Sequence, residues 1–524
     1  MTIQQLVAAR ADDDGTAIKH GSHRSTWRQH VAEAAATAAA LHGMLDRAKP
    51  AHVGVLMGNT PQMLTQMAAA ALGGHVLCGI NTTRRGDSLV DDVRRADCQV
   101  LVVDAEHRRL LADVDTTGIE VIDVSSQHWT NLLSAASALE PLRIADDSDT
   151  FMLVFTSGTS GNPKAVEVSH FMVQLAGESL AGRFGITAAD TCYLSMPLFH
   201  SMALVAGWGV ALASGAAMAP AAFTASNFLA DVRRYGATYM NYVGKPLAYV
   251  LSTAERADDA DNPLRVAFGN EAGDRDIVEF SRRFGVEVWD GFGSTENAVI
   301  VTREPGTPPN SIGKGFDGVA VFKSETGTEC PAALFGPDGQ LLNGDEAIGE
   351  LVNTDGPGMF KGYYNDSAAT SDRMRGGMYW SGDLAYRDAD GWIYLAGRTA
   401  DWMRVDGENI AAMPIERILL RNSSISRVAV YAVPDEHVGD AVMVAILPHP
   451  NHTLSPAEFE RFLAAQQDLS PKAWPLWVRI NTELPMTATY KILKRELIRQ
   501  GISADNGTLW SRAGRSSTYT EVTR

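Results

Sequence analysis

The chain has 524 residues, 45% of them hydrophobic and 20% charged, a net charge of −17 and a pI of about 5.2. The length exceeds one ordinary domain, the composition excludes a disordered chain, and the acidic balance excludes a general nucleic-acid surface. Four cysteines (Cys78, Cys98, Cys192, Cys330) stand far apart with no metal-binding spacing, which reads as reduced thiols in a cytoplasmic protein.

The start, MTIQQLVAARADDD, lacks the basic and apolar regions of a signal peptide. No run reaches ~18 apolar residues, so no membrane span is expected, although contact with a membrane surface is left open. VAEAAATAAAL reads as a helix. HVGVLMGNT reads as a strand, and Thr60-Pro61 then starts a helix that Gly73 and Gly74 stop. HVLCGIN, CQVLVVD and FMLVF are further strands. TSGTSGNPK (Thr156–Lys164) follows FMLVF and precedes the helical spacing of FMVQLAGESLAGRFG. A strand, a Gly/Ser/Thr loop and a helix form a layout that can hold phosphates: glycines admit backbone N–H groups, hydroxyls add donors and a lysine adds charge. A solvated turn is the plainer alternative.

MALVAGWGVALASGAAMA is apolar and reads as a core helix that also forms a pocket wall. DIVEFSRRFG and VEVWDGFG are a helix and a strand, so the first part alternates as an α/β architecture with parallel sheets does. From about residue 345 to 400 the aromatic-rich sequence, with a turn at Asp390-Gly391, fits short antiparallel strands. A smaller unit follows. PIERILLRN is a helix, ISRVAVYAVPDEHVGDAVMVAILP two strands, and SPAEFERFLAAQQ a helix with a capping box from Ser455 and Glu458. LWVRI is a strand and ILKRELIRQG a last helix closed by Gly501. The tail after Leu509 is polar and expected to be mobile.

The opening loop is not a P-loop NTPase motif: Gly158 and Gly161 are three apart, and Lys164 follows Pro163. Four more motifs lie downstream in order: WDGFGSTEN, YWSGDL, GRTADWMRVDGENI and TATYKILKREL. With TSGTSGNPK they resemble the adenylate-forming superfamily of acyl-CoA synthetases, peptide-synthetase adenylation domains and beetle luciferases, over nearly the whole chain. The resemblance implies an α/β fold. It has a large N-terminal domain (1–400) of parallel-rich sheets, helices and a small β-barrel-like part, and a small mobile α+β domain (401–524). It also implies a two-step reaction in which a carboxylate attacks the α-phosphate of ATP and a thiol then displaces AMP.

Site residues follow from the same resemblance. Thr156, Ser157, Gly158, Thr159, Ser160, Gly161 and Lys164 would wrap the β- and γ-phosphates. Gly269, Asn270 and Glu271 would line the adenine and acyl site. Asp290, Phe292 (where the family usually has Tyr), Gly293 and Ser294 would hold adenine. Thr295 would touch the α-phosphate, and Glu296 is the candidate Mg²⁺ ligand. Asp383 would meet the ribose, Arg398 would make a second ribose or phosphate contact, Asp401 would be the hinge, and Lys491 would bridge the carboxylate and the α-phosphate. Tyr490 stands where the family usually has Gly, a residue that reaches positive φ easily.

His200, in MPLFHS, matches a ring bordering the carboxylate; a packed loop histidine is the alternative. YVGKPLAYVL, RVAFGNEAGDRDIVEFSRRFG and DWMRVDGENI look like the very-long-chain acyl-CoA synthetase and fatty-acid-transport group. They look closer still to actinobacterial fatty-acyl and steroid side-chain CoA ligases. The expected substrates are therefore ATP with Mg²⁺, a long-chain fatty or steroid side-chain acid, and coenzyme A, with Gly407 beside the pantetheine arm. The alternatives are an acyl-AMP ligase that loads a carrier protein and a non-catalytic acyl or nucleotide sensor. A monomer or homodimer is expected.

Overall fold

The alternation of apolar strands and capped helices builds two parallel sheets in the first part of the chain. The computed structural model describes all residues except 157–162, 245, 338, 340, 399–401, 406, 407, 436–438, 451, 467, 470–472, 488–490, 505, 506, 514, 515, 523 and 524. One compact unit comprises Met1–Ala298 with Pro357–Asp372, and the other Val299–Gly356 with Arg373–Arg524. The boundary expected near residue 400 falls among residues outside the description.

In the first unit one sheet runs in the order Glu120–Asp123, Val100–Val103, His52–Leu56, Val76–Gly79, Thr150–Thr156, Lys164–Ser169. The first five strands are mutually parallel and the last is antiparallel. Val100–Val103 is buried on both faces, as the continuous apolar run of a helix-covered parallel strand should be. The other sheet orders Glu287–Gly293, Val266–Asn270, Tyr239–Val243, Thr191–Leu194, Ala217–Pro220 and Thr16–His20, all parallel, and ends on the hairpin strand His23–Thr26. The helix Pro61–Gly73 starts and stops where the sequence signals it: Thr60 accepts from the Met63 N–H, and Gly74 adopts φ 74°.

Two expectations change here. MALVAGWGVALASGAAMA is not one helix. Ser201–Ala203 and Gly209–Ser214 are joined by a π-helical segment, Leu204–Trp208, and Ala217–Pro220 is a strand. Gly215, at φ 76°, ends the helix and frees the last apolar residues for the sheet. KAVEVS, between the Gly/Ser/Thr loop and the helix, is a strand paired back on Thr150–Thr156 with Thr156 opposite Lys164. Its buried Ala165, Val166 and Val168 do not alternate, so the strand is set by its pairing with Thr150–Thr156 and not by a period-two signal. The phosphate-loop candidate therefore lies at a hairpin, and Ser169, not the loop, caps the helix His170–Phe184.

In the second unit the aromatic stretch forms the expected antiparallel strands. Val319–Phe322, Gly349–Asn353, Met378–Arg387 and Ile393–Arg398 pair in turn, and Gly391 at φ 86° makes the turn. A further sheet contains the long hairpin Ile425–Asp435 and Gly439–Pro448, extended by Trp477–Asn481, Gly507–Arg512 and Tyr519–Glu521. One of its faces buries Ile415 and Phe459 from the helices Ala412–Leu419 and Pro456–Ala464, and the other buries Leu497 from Lys494–Gln500. The tail beyond Leu509 thus continues the sheet instead of trailing from it. Trp510 and Tyr519 are buried against Phe459, which repays the ordering of an otherwise polar segment.

Candidate active site

Parallel strands in a doubly wound sheet direct their carboxyl ends to one edge, where ligands bind. Val266–Asn270 and Glu287–Gly293 are adjacent parallel strands, with Gly269 opposite Asp290 and Asn270 opposite Gly291. Two sequence motifs that are distant along the chain therefore meet at one sheet edge. A Cβ on Gly269 would come within 2.4 Å of the Tyr242 carbonyl oxygen and 2.5 Å of its ring, so only glycine fits there. Glu271 turns the chain away at φ 68°, an uncommon conformation for a residue with a side chain.

Asp290 is buried and its Oδ2 accepts from the Tyr242 hydroxyl (2.8 Å) and the Ala272 N–H (3.0 Å). This carboxylate therefore fastens the turn after Asn270 onto the next strand. Phe292 is buried, and Gly293 lies alongside Asn270. Thr295 and Glu296 are both buried too. The Thr295 hydroxyl lies 3.0 Å from the Ser201 hydroxyl, which ties the MPLFHS stretch to the GSTE motif. His200 caps the short helix Ser201–Ala203, its Nδ1 accepting from the Met202 N–H at 3.4 Å.

Lys164 sits at the end of the loop hairpin with its ammonium 4.9 Å from the centre of the Tyr363 ring. The Tyr363 hydroxyl donates to Glu296 Oε1 at 2.7 Å. Tyr363, which the sequence reading passed over, thus touches both a candidate phosphate lysine and the candidate metal carboxylate. No motif marks it; an aromatic pair after Gly362 was the only signal. It arrives on the segment Pro357–Asp372, which lies along the loop hairpin: Val166 bridges Tyr363, and the Glu167 N–H donates to the Gly362 carbonyl. The far end of the loop is fixed by Arg95, which donates to the Pro163 carbonyl (3.1 Å) and to the buried Asp92. Ser157, Gly158, Thr159, Ser160 and Gly161 lie outside the described residues. Thr156, at the hairpin's other end, lies opposite Lys164 with its hydroxyl 3.4 Å from the Lys164 carbonyl.

In the second unit Asp383 and Arg398 stand opposite each other on paired strands, and Arg398 Nε meets Asp383 Oδ1 at 3.1 Å. Asp383 is buried and the Arg398 side chain is about half exposed, so a ligand can approach the pair from the arginine side. Glu350, also buried, fixes the strand just before Asp383 by accepting from the Gly382 N–H at 2.7 Å. Lys491 closes a short hairpin. The Thr487 N–H donates to the Lys491 carbonyl (2.9 Å), the Lys491 N–H donates to Thr487 Oγ1 (3.1 Å), and Met486 bridges Ile492. Tyr490, Asp401 and Gly407 lie outside the described residues.

Among the described residues no three His, Cys, Asp or Glu side chains gather as a metal cage. The single buried carboxylate of Glu296 suits a Mg²⁺ that takes its other oxygens from phosphates and water. Among the same residues no helix is long and apolar enough to cross a membrane.

Residues 6–364 match the model of the AMP-binding enzyme family, and residues 414–491 that of its C-terminal domain. The chain belongs to the AMP-binding enzymes. It is 48% identical to the medium/long-chain-fatty-acid–CoA ligase FadD17 of Mycobacterium marinum over 503 residues, 96% of either chain. It is 42% identical to the steroid-22-oyl-CoA synthetase of Rhodococcus jostii over 511 residues, 96% of this chain and 92% of that one. Among solved structures, MatB of Rhodopseudomonas palustris with ATP bound has the same fold, with a TM-score of 0.82 at 22% identity, covering 95% of this chain and 99% of that one. The resemblance read from the five motifs and the α/β architecture are both borne out.

Proposed function

We propose that the protein is an ATP-dependent ligase that activates a lipophilic carboxylic acid, a long-chain fatty acid or a steroid side-chain acid, and passes it to coenzyme A. One observation carries this reading: two acyl-CoA-forming relatives align over 96% of the chain, and the chain keeps Lys164, Glu296, Asp383 and Lys491. In the first step a carboxylate oxygen attacks the α-phosphorus of ATP, and the bond to the pyrophosphate oxygen breaks. In the second the CoA thiol attacks the acyl carbon, AMP leaves, and the thiol proton passes to solvent or base.

Lys164, Thr156 and the loop 157–161 grip the β- and γ-phosphates. Gly269, Asn270, Glu271, Asp290, Phe292, Gly293 and Ser294 form the adenine slot, where Asp290 accepts from the amino group. Thr295 contacts the α-phosphate, and Asp383 with Arg398 takes the ribose. Glu296 would hold magnesium, which supplies charge neutralisation on the departing pyrophosphate. Lys491 contributes the cation at the point where negative charge develops, where a fixed charge matters most. His200 borders the carboxylate. Asp401 is the hinge, Gly407 lies beside the pantetheine arm, and residue 400 parts the large from the small domain. The four buried, unpaired cysteines suit work in the cytoplasm.

The test is a panel of laurate, oleate and a C24 steroid acid with Mg·ATP and CoA. CoA-dependent AMP release with at least one acid is expected. Pyrophosphate exchange without thioester would instead identify a carrier-loading enzyme, and binding without turnover a sensor.

A further inference from the structure

Lys164 and Glu296 have different tasks on one triphosphate in the reading above, yet a single side chain touches both. The Tyr363 ring lies under the Lys164 ammonium, and its hydroxyl donates to Glu296 Oε1. Tyr363 is 4% exposed, so its hydrogen bond to Glu296 is shielded from water, and its ring face attracts the Lys164 ammonium. A phenol ring is rigid, with only two side-chain torsions, whereas lysine and glutamate are flexible.

The backbone around Tyr363 is also fixed. Its N–H donates to Thr370 Oγ1 at 2.9 Å, and the Tyr364 N–H donates to the Ala165 carbonyl at 2.8 Å. Neighbouring residues of an extended segment point to opposite sides, and Tyr364 does so. Its hydroxyl donates to Asp97 at 2.9 Å, and its ring meets His52 edge-on at 5.0 Å. Tyr364 clamps the segment on one side while Tyr363 reaches the site on the other.

We propose that Tyr363 is a positioning residue for Mg·ATP: it sets the spacing between the phosphate-gripping Lys164 and the metal-binding carboxylate of Glu296. The proposal rests on the reading of Glu296 as the magnesium ligand. By donating to Oε1, the hydroxyl fixes the plane of the carboxylate and so the direction of its other oxygen. The ring meanwhile holds Lys164 at the height of the loop hairpin. The tyrosine touches no reacting atom in this scheme and acts through its two partners.

The test is calorimetric titration of the full-length protein with ATP over a series of Mg²⁺ concentrations, without acid so that no turnover occurs. Tyr363→Phe keeps the ring and removes the hydroxyl. It is expected to raise the Mg²⁺ needed for half-maximal ATP binding about tenfold, the size set by a lost hydrogen bond to a charged group. ATP binding without metal should stay at the wild-type level. Tyr363→Leu removes the ring as well and should also weaken metal-free ATP binding. Tyr364→Phe removes a hydroxyl from the same segment and should leave the Mg²⁺ requirement unchanged. Thioester formation from preformed acyl-adenylate should be equal in wild type and Tyr363→Phe.

An unshifted Mg²⁺ requirement in Tyr363→Phe, with Glu296→Gln shifted, overturns the role of Tyr363 alone. An equal shift in Tyr364→Phe overturns it too, because the effect would then belong to the segment. An unshifted Glu296→Gln overturns the reading of Glu296 and, with it, the proposal.

Discussion

Glu296 and Lys491 are held in opposite ways. Glu296 is buried, and its Tyr363 partner lies 67 residues along the chain on a segment bridged to the loop hairpin. The Lys491 backbone is bonded from 4 residues away, by two bonds with Thr487, where Met486 bridges Ile492. A group that must keep register with a bound triphosphate gains from long-range anchoring, because its position is then fixed by the sheet. Under the proposed reading Lys491 acts at one stage only, and its backbone bonds to Thr487 are local in sequence.

Removing the locally held cation should give the largest effect. Lys491→Ala is expected to lower adenylation by about 10²–10³, as loss of one preorganised charge does, and to spare thioester formation from preformed acyl-adenylate. Pyrophosphate exchange against single-turnover thioester formation checks this; equal losses in both would remove Lys491 from its role. Asp383 resembles Glu296 in being set by strands that are paired over a distance. Asp383→Asn should raise the Kd for ATP about 10–100-fold, the cost of charge-assisted bonds. An unchanged Kd beside a lowered melting temperature would make the Asp383–Arg398 pair structural only.

The long-range construction of the first unit also carries a pH signature. Burial, with Arg143 nearby, pushes His170 down to about 4 from its ordinary 6.5. Its unfolded form therefore binds a proton that the folded form refuses between those values. The stabilisation is complete above pH 6.5 and fades as pH falls toward 4, costing about 2 kcal/mol between pH 7 and 5. Denaturant melts of wild type and His170→Gln should show a shallower acid loss in the variant, and parallel curves would rule the histidine out. The smallest change expected is in Thr487→Val. Losing one acceptor for the Lys491 N–H is worth about 1 kcal/mol, or roughly fivefold in adenylation, with ATP binding unchanged. A loss of ATP affinity there would break the contrast between the two constructions.

Legibility followed the range of the interactions. The helix Pro61–Gly73, the helix Pro456–Ala464 with its Ser455–Glu458 capping box, and the long hairpin of the second unit could be read because caps, periodicity and turns are local in sequence. So could the family, whose motifs are contiguous stretches. The strand Lys164–Ser169 and the C-terminal strand Gly507–Arg512 were not legible, because their buried apolar residues fall in adjacent pairs, Ala165–Val166 and Leu509–Trp510, and not in alternation. Each is short, and its pairing partner supplies what a short period-two pattern cannot.

The sequence by itself determined the architecture and the family, because backbone propensity and side-chain chemistry are carried by each residue wherever it ends up. Only the tertiary structure decided that Gly269 must lack a side chain, that Asp290 holds a turn through Tyr242, and that one tyrosine joins Lys164 to Glu296. Those facts depend on distances of a few ångströms between residues that are distant along the chain, and a linear pattern does not encode such distances.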